Sequence, residues 1–174
     1  MNKFKFILII LSIAFIFISC SETENDIDFY LKPGIDTVEI NSEYSDPGAE
    51  AFINGSPVDY EISENNVDTS QTGIYYIEYA LPFRNSQYII TRIVTVIDET
   101  PPEINLNPGI DTINLNQEWI DESVTVTDNS NSDVLVETIG EVDNTTLGEY
   151  EITYIATDEY GNQSELIRIV NVIE

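Results

Sequence analysis

Histidine is absent from this sequence, and cysteine and methionine each occur once in 174 residues. Without histidine, neither a Ser-His-Asp triad nor a Cys-His pair can form, and an imidazole metal site is excluded. With Cys20 as the single cysteine, no disulfide can form within the chain. Catalysis would have to use carboxylates, Lys32, arginine or tyrosine. The remaining enzyme hypothesis is a hydrolase with two carboxylates about 5–10 Å apart in a deep cleft. We therefore predict that the protein is not an enzyme and has no catalytic residue.

Positive charge is also scarce, because six lysines and arginines face 32 aspartates and glutamates, for a net charge of −26. All of the acids lie after residue 19, where the basic side chains are Lys32, Arg84, Arg92 and Arg168. The resulting negative field repels nucleic acid and anionic lipid head groups. We expect no nucleic-acid partner and no cofactor other than, at most, calcium.

The longest apolar run covers residues 6–18, follows two lysines and is interrupted by Ser12. It is too short for a membrane span of about 20 residues and is typical of a secretory signal. The segment Ile18-Ser19-Cys20 resembles a bacterial lipobox, in which the cysteine is acylated and becomes the first mature residue. We predict a signal peptide over residues 1–19 and a lipid on Cys20. The alternative is an unlipidated secretory peptide with an incidental cysteine.

Residues 20–28 are predicted to form a tether, because they are polar and acidic apart from Ile27. An acidic stretch directly after an acylated cysteine resembles the surface-export signal of Bacteroidota-type lipoproteins. The resemblance implies a protein that is lipid-anchored to the outer membrane and exposed at the cell surface. A spacer facing the periplasm is the alternative.

An internal repeat fills the rest of the chain. The motif Pro-Gly-Ile-Asp-Thr at residues 33–37 returns at residues 108–112, and the strand at 73–79 returns in the same alignment at 148–154. Arg92-Ile93-Val94 returns at residues 168–170, one position later than this alignment gives, so the last hairpin of the second repeat carries an extra residue. We predict one domain over residues 29–99 and a second over residues 100–174.

Both repeats show the alternation of apolar and polar residues that is typical of half-buried β-strands. We expect the inward-facing residues to be Tyr75, Ile77, Tyr79 and Leu81 in the first repeat, and Tyr150, Ile152, Tyr154 and Ala156 in the second. Turn signals such as Asn54-Gly55 separate the short strands. The fold class is therefore all-β, with two tandem Greek-key sandwiches after the lipoprotein signal peptide.

Two arginines interrupt the apolar pattern of the last strand in each repeat. By alternation, Arg92 and Arg168 share the inward face with the neighbouring valines, near one end of the strand. We expect each arginine to lie at the rim of its sandwich with its head group paired to a carboxylate. The expected partners are Asp46 and Asp121, which are also equivalent in the repeat.

The pattern Gly-x-Tyr-x-Ile-x-x-Tyr, the loop at residues 156–162 and the Asp-x-x-Pro-Pro linker at 98–102 resemble bacterial Ig-like domains of the pesticidal-crystal-protein type. Such domains occur in tandem on surface lipoproteins and as accessory modules of secreted proteins. In Ig-type sandwiches, a tyrosine two residues before the second core cysteine bonds back to the backbone. Tyr75 and Tyr150 keep that spacing, with isoleucine in place of cysteine. The first repeat departs from the family at residues 82–86, where the Asp-x-x-Gly-Asn loop is missing.

Three kinds of site are compatible with the sequence. Carboxylate and amide oxygens suit calcium, and we select as ligands Asp98, Glu99, Asp158 and Asn162, with Asp128 and Asp133 as further oxygen donors nearby. The alternative is that Asp158 and Asn162 only shape a turn in which Gly161 supplies positive φ.

Aromatic side chains that could contact glycans are Trp119, Tyr76 and Tyr160, although Trp119 and the equivalent Tyr44 could instead serve packing. Asp-Thr-aliphatic motifs resemble O-glycosylation signals at Thr37 and Thr112, which could equally be ordinary strand residues.

The function predicted from these features is that of a non-enzymatic cell-surface lipoprotein, acting as a spacer, an adhesion protein or an accessory binding module. Its partners would be the membrane, through the N-terminal lipid, and a glycan or a surface protein. The alternative is a carbohydrate-binding accessory protein of a glycan-uptake system. Exposed aromatic side chains that share one plane would support that alternative.

Overall fold

A computed structural model of the protein describes residues 25–174. The predicted signal peptide, Cys20 and the tether up to residue 24 lie outside the described residues. Residues 25–174 form thirteen β-strands and no helix, so the all-β prediction is confirmed. It follows that this part of the chain has no apolar helix that could cross a membrane.

The first domain contains seven strands in two sheets. Its strands are β1 (Ile27–Leu31), β2 (Thr37–Glu39), β3 (Ala49–Ile53), β4 (Ser56–Pro57), β5 (Glu61–Asn65), β6 (Gly73–Phe83) and β7 (Ser86–Ile97). One sheet has the order β1-β3-β4 and the other has the order β2-β7-β6-β5. Strand β1 begins at Ile27, so the last two residues of the predicted tether belong to the sandwich, where they pair with β3.

The second domain repeats this arrangement with six strands. They are β8 (Glu103–Leu106), β9 (Thr112–Asn114), β10 (Val124–Thr127), β11 (Leu135–Ile139), β12 (Gly148–Thr157) and β13 (Gln163–Ile173). The two sheets have the orders β10-β8 and β11-β12-β13-β9. In both domains a short strand runs parallel to the last strand, with Thr37 opposite Thr95 and Thr112 opposite Asn171. The sequence repeat is therefore a repeat of topology and register.

Each core lies between the two sheets of its domain. In the first domain, Ala49 from one sheet packs against Ile77, Tyr79 and Val94 from the other. In the second domain, the equivalent strands contribute Ile152, Tyr154 and Val170. The predicted inward faces of β6 and β12 are thus confirmed, although Tyr75 and Tyr150 at the strand starts are only partly buried. Burying side chains of this size contributes about 1.5–3 kcal/mol each, which matters in domains that have no disulfide.

The predicted hydrogen bond from a tyrosine back to the backbone, known in Ig-type sandwiches as the tyrosine corner, is present in both domains. The Tyr75 hydroxyl donates to the Gln71 carbonyl at 2.8 Å, and the Tyr150 hydroxyl donates to the Thr146 carbonyl at 2.8 Å. Each bond joins residues four positions apart and fixes the chain as it enters the long central strand. The spacing in the sequence was sufficient to predict this contact because both partners lie in one local segment.

The last hairpin is where the two domains differ most. Strands β6 and β7 are joined by the two residues Arg84 and Asn85, whereas β12 and β13 are joined by the five residues 158–162. In the longer loop, Gly161 has a φ of 92°, which favours glycine. Because this loop is longer, Asp158 is its first residue, whereas the aligned residue of the first domain, Phe83, is the last residue of strand β6.

Candidate functional site at the domain junction

Arg92 is completely buried in the first domain, with 1% of its surface exposed. Its guanidinium donates to both carboxylate oxygens of Asp36, at 2.7 and 2.9 Å, and to the carbonyls of Lys32 and Gly48. A buried arginine is tolerable only when its charge is paired and its N–H groups are satisfied. This group, which we call the first arginine cluster, therefore ties β7 to the segments around β1 and β2.

The second arginine cluster repeats this arrangement around Arg168, which is equally buried. Its guanidinium lies 3.3 Å from Asp111 and donates to the carbonyls of Asn107 and Ser123. The prediction that both arginines face inward and pair with a carboxylate is confirmed, but the predicted position at the rim is wrong. The expected partner Asp121 is also wrong, because Asp121 accepts a hydrogen bond from Tyr154 instead. Asp46, the expected partner of Arg92, lies 3.5 Å away but is secondary to Asp36.

A buried tyrosine completes each arginine cluster. Tyr79 donates to Asp46 at 2.5 Å and accepts a hydrogen bond from Arg92 at 3.3 Å. Burial and the hydrogen bond to Asp46 raise the pKa of Tyr79 to about 12. Burial and the bond to Asp121 likewise raise the pKa of Tyr154. Because the same constellation occurs in both domains, we interpret it as part of the fold rather than as a ligand site.

The two domains meet through side chains on both sides of the linker. Glu39, at the end of β2, accepts a hydrogen bond at 3.1 Å from the side-chain amide of Asn129 in the second domain. The amide of Asn41 donates to the Asn129 carbonyl at 2.7 Å, and the hydroxyls of Thr72 and Tyr160 lie 2.8 Å apart. Hydrogen bonds thus join the two domains at the junction, and the Tyr160 hydroxyl takes part in one of them.

Three aspartates come together at this junction. Asp98 follows β7, Asp128 follows β10 and Asp158 follows β12, and one carboxylate oxygen of each lies within 4.8 Å of the others. Asp98 and Asp158 are 7% and 6% exposed, respectively. We call these three residues the junction cluster. Its members follow three different strands and are far apart along the chain, so folding is required to assemble them.

The environments of the buried members differ. Burial raises the pKa of Asp98, and the neighbouring charges of Asp128 and Asp158 add to the effect. For Asp158, burial alone would raise the pKa, but hydrogen bonds from Asn162 and from the backbone of Tyr160 outweigh it and lower the pKa. Asp98 also accepts a hydrogen bond from its own loop, from the backbone N–H of Thr100 at 3.1 Å, but for Asp98 the effect of burial prevails.

The four predicted calcium ligands divide into two groups. Asp98 and Asp158 lie together as expected, whereas Glu99 is exposed and its backbone N–H donates to Glu39. The amide nitrogen of Asn162 donates to the Asp98 carbonyl and to Asp158, so Asn162 does not direct an oxygen to the cluster. Asp158 and Asn162 do shape the turn, as the alternative expected. Asp128 takes the third place, and its position in a loop remote in sequence from both partners could not be read from spacing.

The three aromatic residues predicted as glycan contacts lie in different environments. The Trp119 indole packs against the core of the second domain and donates to the Ile110 carbonyl at 3.0 Å. A groove beside Trp119 recurs beside the equivalent Tyr44 in the first domain, which indicates a role in packing. Tyr76 is 45% exposed on the outer face of β6. Thus Tyr76 alone of the three is both exposed and outside the junction and the cores.

The two candidate glycosylation threonines, Thr37 and Thr112, are exposed at the first positions of β2 and β9. The aspartate that precedes each of them is the partner of a buried arginine. The arginine clusters thus explain why the aspartate of this motif recurs. Glycosylation of the two threonines remains a prediction.

Comparison with known proteins supports the Ig-like interpretation. Residues 109–172 match the sequence profile of the family described as bacterial surface protein, Ig-like domain. The resemblance to bacterial Ig-like domains is confirmed. The matched segment covers nearly all of the second Ig-like domain, and the first domain is related to it by the internal repeat. No curated protein sequence matches the chain.

Two solved structures match the chain at low sequence identity and low TM-score. A lipoprotein from Bacteroides thetaiotaomicron is 15% identical, with a TM-score of 0.38, over 81% of this chain and 78% of that protein. The EC1-2 fragment of human protocadherin-24 is 12% identical, with a TM-score of 0.37, over 86% of this chain and 82% of the fragment. At these values the similarities carry no information about function.

Proposed function

We propose that the chain is a non-enzymatic surface lipoprotein whose two Ig-like domains form a spacer between the outer membrane and a binding face. The observation that carries this proposal is the junction. Only residues 98–102 separate β7 from β8, and side-chain hydrogen bonds join the domains on both sides of this linker. A short, bonded linker favours a defined arrangement of the domains over free hinging.

The proposed location rests on two features. The lipobox-like segment before Cys20 supports a lipid anchor, and the family that matches the second domain is described as one of bacterial surface proteins. The acidic residues after Cys20 support export to the outer surface. The large excess of negative charge would keep such a protein soluble and away from anionic lipid head groups.

The proposed binding face is the outer side of the sheet β2-β7-β6-β5. Tyr76 lies directly opposite Ile93 in the β6–β7 register, and the two side chains are 45% and 58% exposed. Ile74, two residues before Tyr76, is 63% exposed. Contiguous exposed apolar residues are typical of interaction surfaces, so we assign adhesion or accessory binding to this face.

The anchor is tested by replacing Cys20 with alanine in the full-length chain. We expect Cys20→Ala to move the protein from the membrane fraction to the soluble fraction. Each acyl methylene contributes about 0.8 kcal/mol to membrane binding, and a multiply acylated cysteine supplies the two or more signals that stable anchoring needs. Ser21→Ala, which leaves the cysteine intact, is the matched control. Unchanged membrane fractionation of Cys20→Ala would contradict the proposal, and protease treatment of intact cells would test surface exposure.

A carbohydrate-binding function is the second candidate, and Tyr76 is the observation that favours it. An exposed tyrosine flanked by apolar side chains can stack on a sugar ring. On a glycan array, binding that is abolished by Tyr76→Ala and retained by Tyr88→Ala would support this candidate. Tyr88 is a suitable control because it lies elsewhere on β7 and is similarly exposed, at 41%. Absence of glycan binding would leave a protein partner for this face.

A further inference from the structure

The junction cluster and Asn129, the residue next to Asp128, contain buried oxygen atoms that have no hydrogen-bond donor. Within residues 25–174, no group donates to Oδ2 of Asp98, Oδ2 of Asp128 or Oδ1 of Asn129, and all three atoms are buried. The hydroxyl of Ser130 lies within hydrogen-bond distance of the other oxygen of Asp128 and of the Ser132 hydroxyl. Asp98 is more than nine-tenths buried. A buried polar atom without a partner costs about 1–3 kcal/mol, so these oxygens require a hydrogen-bond donor or a cation.

No basic side chain supplies that partner. The ion pairs found within the described part of the chain all belong to Arg92 and Arg168, at the arginine clusters. Three carboxylates within 4.8 Å of one another repel each other strongly when two of them are buried. Either a proton or a bound cation must relieve this repulsion. A proton can be shared by two carboxylates, whereas a cation can contact all three at once, which favours the cation.

The geometry and the ligand type select among cations. The available ligands are carboxylate and amide oxygens, without nitrogen or sulfur, and such a set suits a hard divalent ion. Around calcium, with Ca–O distances of about 2.3–2.6 Å, two ligand oxygens are at most about 5 Å apart. Around magnesium, with distances of about 2.0–2.1 Å, the limit is about 4.2 Å. The three carboxylate oxygens lie within 4.8 Å of one another and so satisfy the limit for calcium.

We propose that Asp98, Asp128 and Asp158 bind one calcium ion at the domain junction, with the side-chain oxygen of Asn129 as a further ligand. Asp98 directly follows the last strand of the first domain, whereas the other ligands belong to loops of the second domain. The ion therefore links the two domains and limits their relative motion. This inference does not depend on the lipid anchor or on the binding face, so it can fail while the proposed function holds.

Calcium binding is tested by titrating CaCl2 into the full-length protein in detergent after removal of metal with EDTA. We expect saturable binding with a Kd in or below the range of about 0.1–1 mM that is typical of extracellular modules. Asp128→Asn should weaken binding at least tenfold. Asp133→Asn is the matched control, because Asp133 is an exposed acid in the same segment, and it should bind normally.

A second measurement separates calcium binding from protonation of Asp98. Calcium should raise the Tm of the wild-type protein and of Asp133→Asn, and it should leave the Tm of Asp98→Asn unchanged. Residual dipolar couplings should fit one alignment tensor for both domains more closely with calcium than without it. The proposal is overturned if calcium at about 10 mM, above the expected Kd range, produces neither heat nor a Tm shift. Equal loss of binding in Asp128→Asn and Asp133→Asn would also overturn it, since that result indicates diffuse binding to surface acids.

Discussion

The arginine clusters and the junction cluster place the same functional group, a partly or fully buried aspartate, in opposite electrostatic settings. In the arginine clusters, Asp36 and Asp111 each face a guanidinium that is 1% exposed. In the junction cluster, three aspartates face one another, and no ion pair of residues 25–174 reaches them. A buried carboxylate is stabilised in the first setting and destabilised in the second, unless a cation is supplied from solution.

The two kinds of cluster also differ in whether they occur in both domains. The arginine clusters occur once in each domain at equivalent positions, as expected of contacts that each domain needs to fold. The junction cluster has no counterpart within the first domain, where the alignment of the two repeats places Ile53 opposite Asp128 and Phe83 opposite Asp158. A feature that the repeat does not require for folding is a better candidate for a specific function.

The largest effect is expected from removing a buried arginine. Arg92→Met should lower the free energy of unfolding by about 3–5 kcal/mol, since it leaves Asp36 and two carbonyls without their partner. Arg168→Met should cost less, because Arg168 contacts one oxygen of Asp111 and its Nε is unpartnered in the described structure. Urea unfolding measures both values, with the exposed Arg84→Met as the control. A larger loss for Arg168→Met than for Arg92→Met would reverse our ranking of the two clusters.

An intermediate effect, of opposite sign in the two settings, is expected from neutralising an aspartate. Asp36→Asn should destabilise the protein by about 1.5–3 kcal/mol, because it weakens a hydrogen bond between charged groups. In EDTA, Asp98→Asn should instead stabilise it, by about 1 kcal/mol, through relief of like-charge repulsion. Thermal unfolding of both variants, with and without calcium, provides the measurement. Destabilisation by Asp98→Asn in EDTA would show that the junction cluster is not under electrostatic strain.

The smallest effect is expected from the tyrosines of the arginine clusters at alkaline pH. The ordinary pKa of tyrosine is about 10, and the pKa of Tyr79 is raised to about 12 in the folded protein. Between these values the unfolded chain binds fewer protons than the folded one, so stability falls as pH rises through this window. Tyr79→Phe should make the free energy of unfolding less dependent on pH there. An unchanged slope across this pH window in the variant would contradict the assignment.

Local and repeated features of the fold were predictable from the sequence. The alternation of residues in β6 and β12 identified the inward faces, and the spacing of Tyr75 and Tyr150 identified a hydrogen bond within one short segment. The co-linear return of the repeat motifs identified the tandem arrangement. Each of these predictions depends on neighbours along the chain or on a comparison of one repeat with the other, and both kinds of information are contained in the sequence.

The partners of buried charges were decided by the tertiary structure. Arg92 pairs with Asp36, which lies in another part of the same domain. The junction cluster brings together acids from three separate loops. Sequence patterns do not specify which residues pair when they lie so far apart along the chain. With 32 acids in the chain, the sequence offers many equivalent candidates. For this reason Asp121 is the wrong partner for Arg168, and Asp128 is only one of several possible oxygen donors. Residue patterns and composition were enough to predict an all-β tandem with scarce positive charge. Packing of the two sheets and of the two domains decided which acids meet an arginine and which meet only each other.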